Sequence, residues 1–285
     1  MFGLDIFRKN MIQEAEALAC FDLMAWLIPK CGQPRAPKVP SPLCRAPRLT
    51  DICWTASDSR PPLVWAKNIL TDIKRDSGLE DWNVQIMDPT GAQTHLKTVS
   101  PRGENPSSSS ISYQLDRYGR PVIPFNSAQC HAGGEFAAYV IWKLAELKRA
   151  KYEPAETTDA FSGSLLTIVS AAHSGQGFHL LPMSKLIRKK LLPENASSAL
   201  TSKQVQLRLI FAACIGLRAL NRSPEQIIAA YGCLTSRSQR RKIRAACEQI
   251  ESFDAELKKL QLMCATPRRR ERLEKQMLEN QMKVA

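Results

Sequence analysis

A mostly helical α+β fold with a small antiparallel sheet is what the order of periodicities in this sequence predicts. Apolar residues recur at helical spacing before Gly78, alternation with period two takes over between Trp82 and Phe125, and helical spacing returns from Glu135 nearly to the end. Helices, then a run of strands, then more helices segregate as α+β instead of alternating as a parallel α/β wheel.

The first helix is expected over Met11–Leu27, with Ile12, Ala15, Leu18, Ala19 and Phe21 to Leu23 as its apolar stripe, ending before Pro29. Pro34, Pro37, Pro40, Pro42 and Pro47, with Gly32, then forbid regular helix from about Lys30 to Arg48, which reads as an extended arm. Leu63, Ala66, Ile69, Leu70 and Ile73 keep a helical period after Pro61-Pro62, and Gly78 suits a C-terminal cap. Trp82, Val84 and Ile86 alternate with polar residues as in a half-buried strand, and His95–Val99 is its candidate partner. Two further short strands, Ile111–Leu115 and Pro121–Phe125, flank the turn Asp116-Arg117-Tyr118-Gly119. Helices follow over 135–150, Thr158–Ala172, Met183–Leu191, Ser202–Leu220, Pro224–Tyr231 and one long stretch from Ser236 to about Met263. The organisation expected is an N-terminal helix (1–29), a Pro-rich connector (30–60), an α+β domain (61–264) and a basic charged tail (265–285).

Composition bounds the partners. The chain has 285 residues and a net charge of +13, which favours anionic surfaces and solubility and leaves the fold open. Asp5 interrupts the apolar run at the N-terminus and Asp22 the next one, so neither a secretory signal nor a spanning helix fits. A cytoplasmic location without membrane contact is expected. The nine cysteines are odd in number and never spaced as the close pairs of zinc sites, which reads as reduced, mostly buried thiols.

The segment Gly134–Arg149, GEFAAYVIWKLAELKR, is apolar on nearly all sides and follows a Gly-Gly turn. Interior helices of this kind in metallohydrolases carry H-E-x-x-H, because imidazoles at i and i+4 share one face and the Glu polarises a water. Here the stretch is Lys143-Leu144-Ala145-Glu146-Leu147, and no two histidines in the chain are four apart. The opening MFGL, the helix ending Ala25-Trp26-Leu27-Ile28, the Pro-rich connector, WNVQIM, YGRPVIPFNSAQCHAGGEFAAYVIWKLAELKR and the passage from Leu200 to Glu251 together resemble a family of uncharacterised bacterial proteins with a zincin-like H-E-x-x-H helix. The likeness spans roughly residues 1–252. It implies a zincin-like helical core, with Lys143 and Leu147 where the two histidines would stand, Leu144 at the general base, Glu156 as a third ligand and Asp159 in a downstream E-x-x-T-D stretch. Lys143, Glu146, Glu156 and Asp159 are therefore candidates for a vestigial site in a non-catalytic relative, a pseudoenzyme that acts as a binding or scaffold protein with a protein partner and no cofactor.

Two alternatives stay open at the level of sequence. A rebuilt zinc site would have to draw on His131, Glu156, His173 and His179, whose spacing matches no motif; without it no metal is expected. Gly175 and Gly177 follow a helix and lack the Lys and Ser/Thr of a phosphate loop, and Phe161-Ser162-Gly163-Ser164 is no nucleophile elbow. The second alternative is nucleic-acid binding. Basic clusters stand at Lys185–Lys190, at Arg237, Arg240, Arg241, Lys242 and Arg244, and at Arg268–Arg272. Arg237, Arg240, Arg241 and Arg244 fall on one helical face able to follow phosphates. No helix-turn-helix or RNA-module signature is read beside them, and Glu248, Glu251, Asp254 and Glu256 follow as candidate i, i+4 partners.

Overall fold

Helical spacing of buried residues sets the first element of the structure, a computed structural model that describes residues 10–36, 62–87, 97–99, 113–125, 133–152, 160–191, 200–232 and 235–267. Helix α1, Glu14–Cys31, buries Ala17, Cys20, Phe21, Met24, Leu27 and Ile28. This stripe differs from the expected one: Leu18 is 37% exposed, and Ala15 also faces solvent. Pro29 lies inside the last turn instead of ending the helix. A proline there loses only its own bond to the preceding turn, and termination falls to Gly32, at φ 80, whose N–H bonds the Ile28 carbonyl at 2.9 Å. The connector then stays against the core as far as it is described: Gln33 Nε2 donates to the Cys264 carbonyl at 2.7 Å and the Arg35 N–H to the His173 carbonyl at 2.8 Å.

Helix α2, Pro62–Ser77, buries Ala66, Ile69, Leu70 and Ile73 as its period requires. Gly78 closes it at φ 65, a left-handed conformation that favours glycine, and the Arg35 side chain lies over the bare Cα.

The sheet is small and mixed: β1 (Gln85–Met87), β2 (Lys97–Val99), β3 (Tyr113–Leu115) and β4 (Pro121–Pro124) lie in the order β1-β4-β3-β2. The hairpin of β3 and β4 is antiparallel as expected, and the Asp116 carboxylate fixes its turn by accepting the N–H groups of Tyr118 and Arg120, both at 2.9 Å. The expected pairing of the first strand with His95–Val99 does not form. β1 instead runs parallel to β4, Ile86 opposite Ile123, while β2 pairs antiparallel with β3. Apolar content explains the choice: Ile86, Val122 and Ile123 are all buried, so β1 gains more beside β4 than beside the polar β2.

Helix α3, Gly133–Tyr152, meets this layer through an aromatic group in which Phe136 packs on Phe125 (centroids 5.0 Å apart) and Trp65 (5.6 Å). Behind it lie α4 (Ala160–His173), a 3-10 helix (Gly177–Met183), an α-turn (Ser184–Leu186) running into a π-turn (Ile187–Leu191), α5 (Ser202–Ala219), α6 (Pro224–Ala230), α7 (Arg237–Glu251) and α8 (Asp254–Met263). The long helix expected from Ser236 to Met263 is thus two. Phe253, at φ −100 and ψ 55, breaks it and packs its ring on Phe21 of α1, 5.6 Å between centroids, an aromatic contact a straight helix would forgo.

Helix α5 is the axis of the core. Nearly all of its length from Val205 to Ala219 is buried, and α1, α4, α7, α8 and the 3-10 helix pack around it. Gly216 and Gly177 permit the close approaches: a Cβ at Gly177 would stand 3.0 Å from the Ala213 methyl. The whole is an α+β molecule, mostly helical. Among the described residues no helix is long and apolar enough to cross a membrane.

Candidate functional site

From Phe136 to Ala150 the helix singled out by sequence, α3, is buried except for a narrow strip of Tyr139, Lys143, Glu146 and Ala150. Lys143 Nζ meets Glu146 Oε2 at 2.7 Å, and the other carboxylate oxygen accepts the Trp142 indole N–H at 2.8 Å. Burial alone would lower the Lys143 pKa, but the charge and hydrogen bond of Glu146 outweigh it and hold the ammonium above its usual value. The i, i+3 pair anticipated from sequence is therefore formed, at the rim of the core, with side-chain exposures of 31% and 15%. Leu144 and Leu147 are packed core residues. Glu156 and Asp159 lie outside the described residues, as does His131.

The remaining members of the postulated zinc set do not converge with donors. His173 ends α4 inside a buried polar cluster: Lys148 Nζ donates to its Nδ1 at 2.8 Å and to Ser174 Oγ at 3.0 Å, while Nε2 faces the Gly32 carbonyl at 2.9 Å. These contacts fix the tautomer. Nδ1 accepts and Nε2 carries the proton, which leaves no lone pair for a metal. Burial, then the Lys148 charge, push the His173 pKa down to about 3. Lys148 itself, 3% exposed, is brought down to about 8 by burial, partly offset by the nearby Cys31 thiol. The cluster anchors the connector: it joins Gly32 and Arg35 to the ends of α3 and α4. His179 sits in the 3-10 helix, its ring 6.0 Å from that of Tyr231, and full burial lowers its pKa to about 4. Among the described residues no group of three or more His, Cys, Asp or Glu is placed to hold a metal ion. Gly175, at φ 77, makes the turn after α4, and its carbonyl accepts the Tyr231 hydroxyl at 3.1 Å.

A cavity of about 460 Å³ opens beside the start of α1, lined in part by Gln13, Glu14, Glu16 and Gln204. Its Glu16 carboxylate is already engaged by the Arg208 guanidinium, which comes from α5 and is 2% exposed.

The basic face of α7 is built differently. Ile243, Ala246, Cys247, Gln249 and Ile250 turn inward against α5 and the N-terminal segment, where Gln249 Oε1 accepts the Met11 and Ile12 N–H groups at 3.0 and 3.2 Å. The helical period then puts Arg237, Arg240, Arg241 and Arg244 outside, and all four are exposed. Arg240 donates to the Gly232 carbonyl at 3.2 Å; among the described residues none of the four has a carboxylate within ion-pair distance. Two of the four acids anticipated as partners are used elsewhere: Glu251 pairs with Arg218 at 2.7 Å and Asp254 with Lys258 at 2.6 Å. Lys242 bonds Gln206 Oε1 at 2.5 Å, and partial burial together with the charge of Lys203 lowers its pKa, so the positive patch continues onto the start of α5.

Sequence reasoning missed how α7 is presented. Helices α6 and α7 each open on a capping box: Ser223 with Gln226, and Ser236 with Gln239. The two S-x-x-Q strings, thirteen residues apart with a glycine between, were the legible signal. Thr235, 5% exposed, donates its hydroxyl to the Tyr231 carbonyl at 3.1 Å, just ahead of α7.

No family model, no curated protein and no solved structure matches this chain. Function is therefore argued from geometry.

Proposed function

We propose that this chain is a polyanion-binding protein whose contact surface is the first half of α7. The observation that carries the reading is an inversion of helix electrostatics. Residues 237–244, RSQRRKIR, hold five cations and no acid at the end of the helix where the macrodipole is already positive. Helices α1 and α8 follow the favourable rule: α1 has Glu14 and Glu16 in its first turn and Lys30 in its last, and α8 opens on Asp254 and Glu256. The two cations in the first turn, Arg237 and Arg240, oppose folding by ~0.3–1 kcal/mol each, and the rest add like-charge repulsion along the face. An external anion turns that cost into binding, and nucleic acid supplies anions at the repeat such a stripe can follow.

The test is a fluorescence-anisotropy titration of labelled heparin and labelled DNA with the full chain between 50 and 200 mM salt. Log K should fall linearly with log salt, and Arg240→Glu with Arg241→Glu should weaken binding by more than about tenfold. Lack of binding at the lowest salt would sink the reading.

The Lys143–Glu146 pair supports a second, compatible reading: α3 is the counterpart of a zincin metal helix in which an ion pair stands in place of the donors, leaving a non-catalytic protein that works through a protein partner. Metal analysis of tag-free protein tests it, since stoichiometric zinc would refute it. We place the protein in the cytoplasm, in keeping with its free thiols at Cys20, Cys31, Cys214, Cys247 and Cys264.

A further inference from the structure

We propose that the N-terminal half of α7 seats in the major groove of duplex DNA; the inference rests on the polyanion reading and names its ligand. A helix that enters the groove meets the base edges with its first residues. Here the start of α7 is tied to the rest of the fold at three points. Thr235 bonds the Tyr231 carbonyl, Arg240 bonds the Gly232 carbonyl, and the Tyr231 hydroxyl, on a residue 1% exposed, bonds the Gly175 carbonyl. The Tyr231 ring also stacks on Phe178, 4.3 Å between centroids. Helix α5 supports α7 from behind along its apolar face. The outer face is thus held by the core at both ends and needs no rearrangement to dock.

The composition of that face selects the ligand. Arg237, Arg241 and Arg244 stand at i, i+4 and i+7, a stripe about 10 Å long at 1.5 Å per residue, close to the rise of three base pairs. Ser238 and Ala245, also exposed, are small and let the helix approach closely. Arginine is the side chain that grips guanine N7 and O6 with two bonds. Beyond Arg244 the face turns acidic at Glu248, which repels phosphate and makes α7 enter by its first two turns. Arg222, exposed just before α6, is placed for the flanking backbone. Duplex RNA is disfavoured because its major groove is too deep and narrow for a helix, and single strands because α7 has no aromatic residue on which bases stack.

The experiment uses the full chain and a pool of randomised DNA duplexes, from which the bound fraction is selected and sequenced. The selected duplex should bind at least about tenfold tighter than duplex RNA or single strands of the same sequence. Replacing its guanines by 7-deazaguanine, which removes the N7 acceptor and leaves every phosphate in place, should weaken binding several-fold. The variant Arg237→Lys, Arg241→Lys, Arg244→Lys should keep affinity for heparin and lose the preference for the selected site. Equal binding of DNA duplex, RNA duplex and single strands, with no effect of 7-deazaguanine, would overturn the groove inference while leaving polyanion binding intact. No binding to any polyanion would overturn both. The 7-deazaguanine arm needs no protein variant and so stands whether or not the substituted chain folds.

Discussion

Cations occupy two opposite settings in this molecule. Inside, Arg208 and Lys148 are 2% and 3% exposed, and each is met by groups that suit it: the Glu16 carboxylate for the first, the His173 and Ser174 acceptors for the second. On α7 the arginines are exposed, lack carboxylate partners among the described residues and stand at the wrong end of the helix dipole. The fold accounts for the interior set, since a charge stripped of water without partners would not be tolerated. It does not account for the outer set, which points away from the chain. The largest effect expected from this contrast is at Arg208. Arg208→Ala should lower the unfolding free energy by about 3–5 kcal/mol, through loss of the pair and the void left in α5. Urea denaturation measures it; a loss under about 1 kcal/mol would erase the distinction between the two sets.

Lys148 sharpens the comparison through pH. Its pKa in the folded chain is about 8 against 10.5 unperturbed, so between those values the unfolded chain holds more protons and stability rises with pH. The buried thiols act the other way: Cys20 is pushed up to about 12 and Cys264 to about 11, both by burial, so stability is lost as pH rises above 9. The readout is therefore a difference. From pH 8 to 10.5 wild type should gain stability relative to Lys148→Met, and a constant difference would mean that the ammonium is not buried. On the acid side His173 and His179 keep pKa values near 3 and 4, against 6.5, so each contributes stability that is lost as pH falls below 6.5. His173→Gln should flatten part of that limb.

How much was legible in the sequence follows the range of the interaction involved. Local signals held: the helical period of α2 and its glycine cap, the hairpin turn at Asp116, the start of α5 at Ser202, and the i, i+3 pair of Lys143 with Glu146. Long-range choices did not. The partner of β1 depended on which neighbour offered apolar surface across 37 residues of chain, and the break at Phe253 on a ring of α1 more than 200 residues away. The α1 stripe was partly misplaced because Ala15 and Leu18 are apolar enough to suggest a face that the core does not use. At the candidate site, sequence placed the arginines of α7 on one face but supplied them with acidic partners, of which the fold directs Glu251 to Arg218 and Asp254 to Lys258. The polar cluster around Lys148 was invisible, since it joins Gly32, Lys148 and His173 only once the connector is laid down.

Smaller effects separate the rim of the core from its interior. Lys143→Met should cost about 1 kcal/mol or less, because Lys143 is partly exposed and Glu146 keeps the Trp142 N–H. A loss near that of Arg208→Ala would show the pair to be as buried as a filled metal pocket requires.

The outer set should respond with the opposite sign. Removing Arg237, Arg241 and Arg244 together by substitution to alanine takes one cation, Arg237, from the first turn, relieves the like-charge repulsion along i, i+4 and i+7, and installs a better helix former at exposed positions. Stability should rise, by ~0.3–1 kcal/mol for Arg237 and a few tenths for each of the others at low salt, and the gain should shrink as salt screens it. Thermal unfolding in 20 and 200 mM salt reads both the sign and the screening. The same protein should bind DNA worse, so stability and affinity move apart. A drop in stability would mean that these arginines hold the fold after all, and the case for an external anion would lose its physical basis.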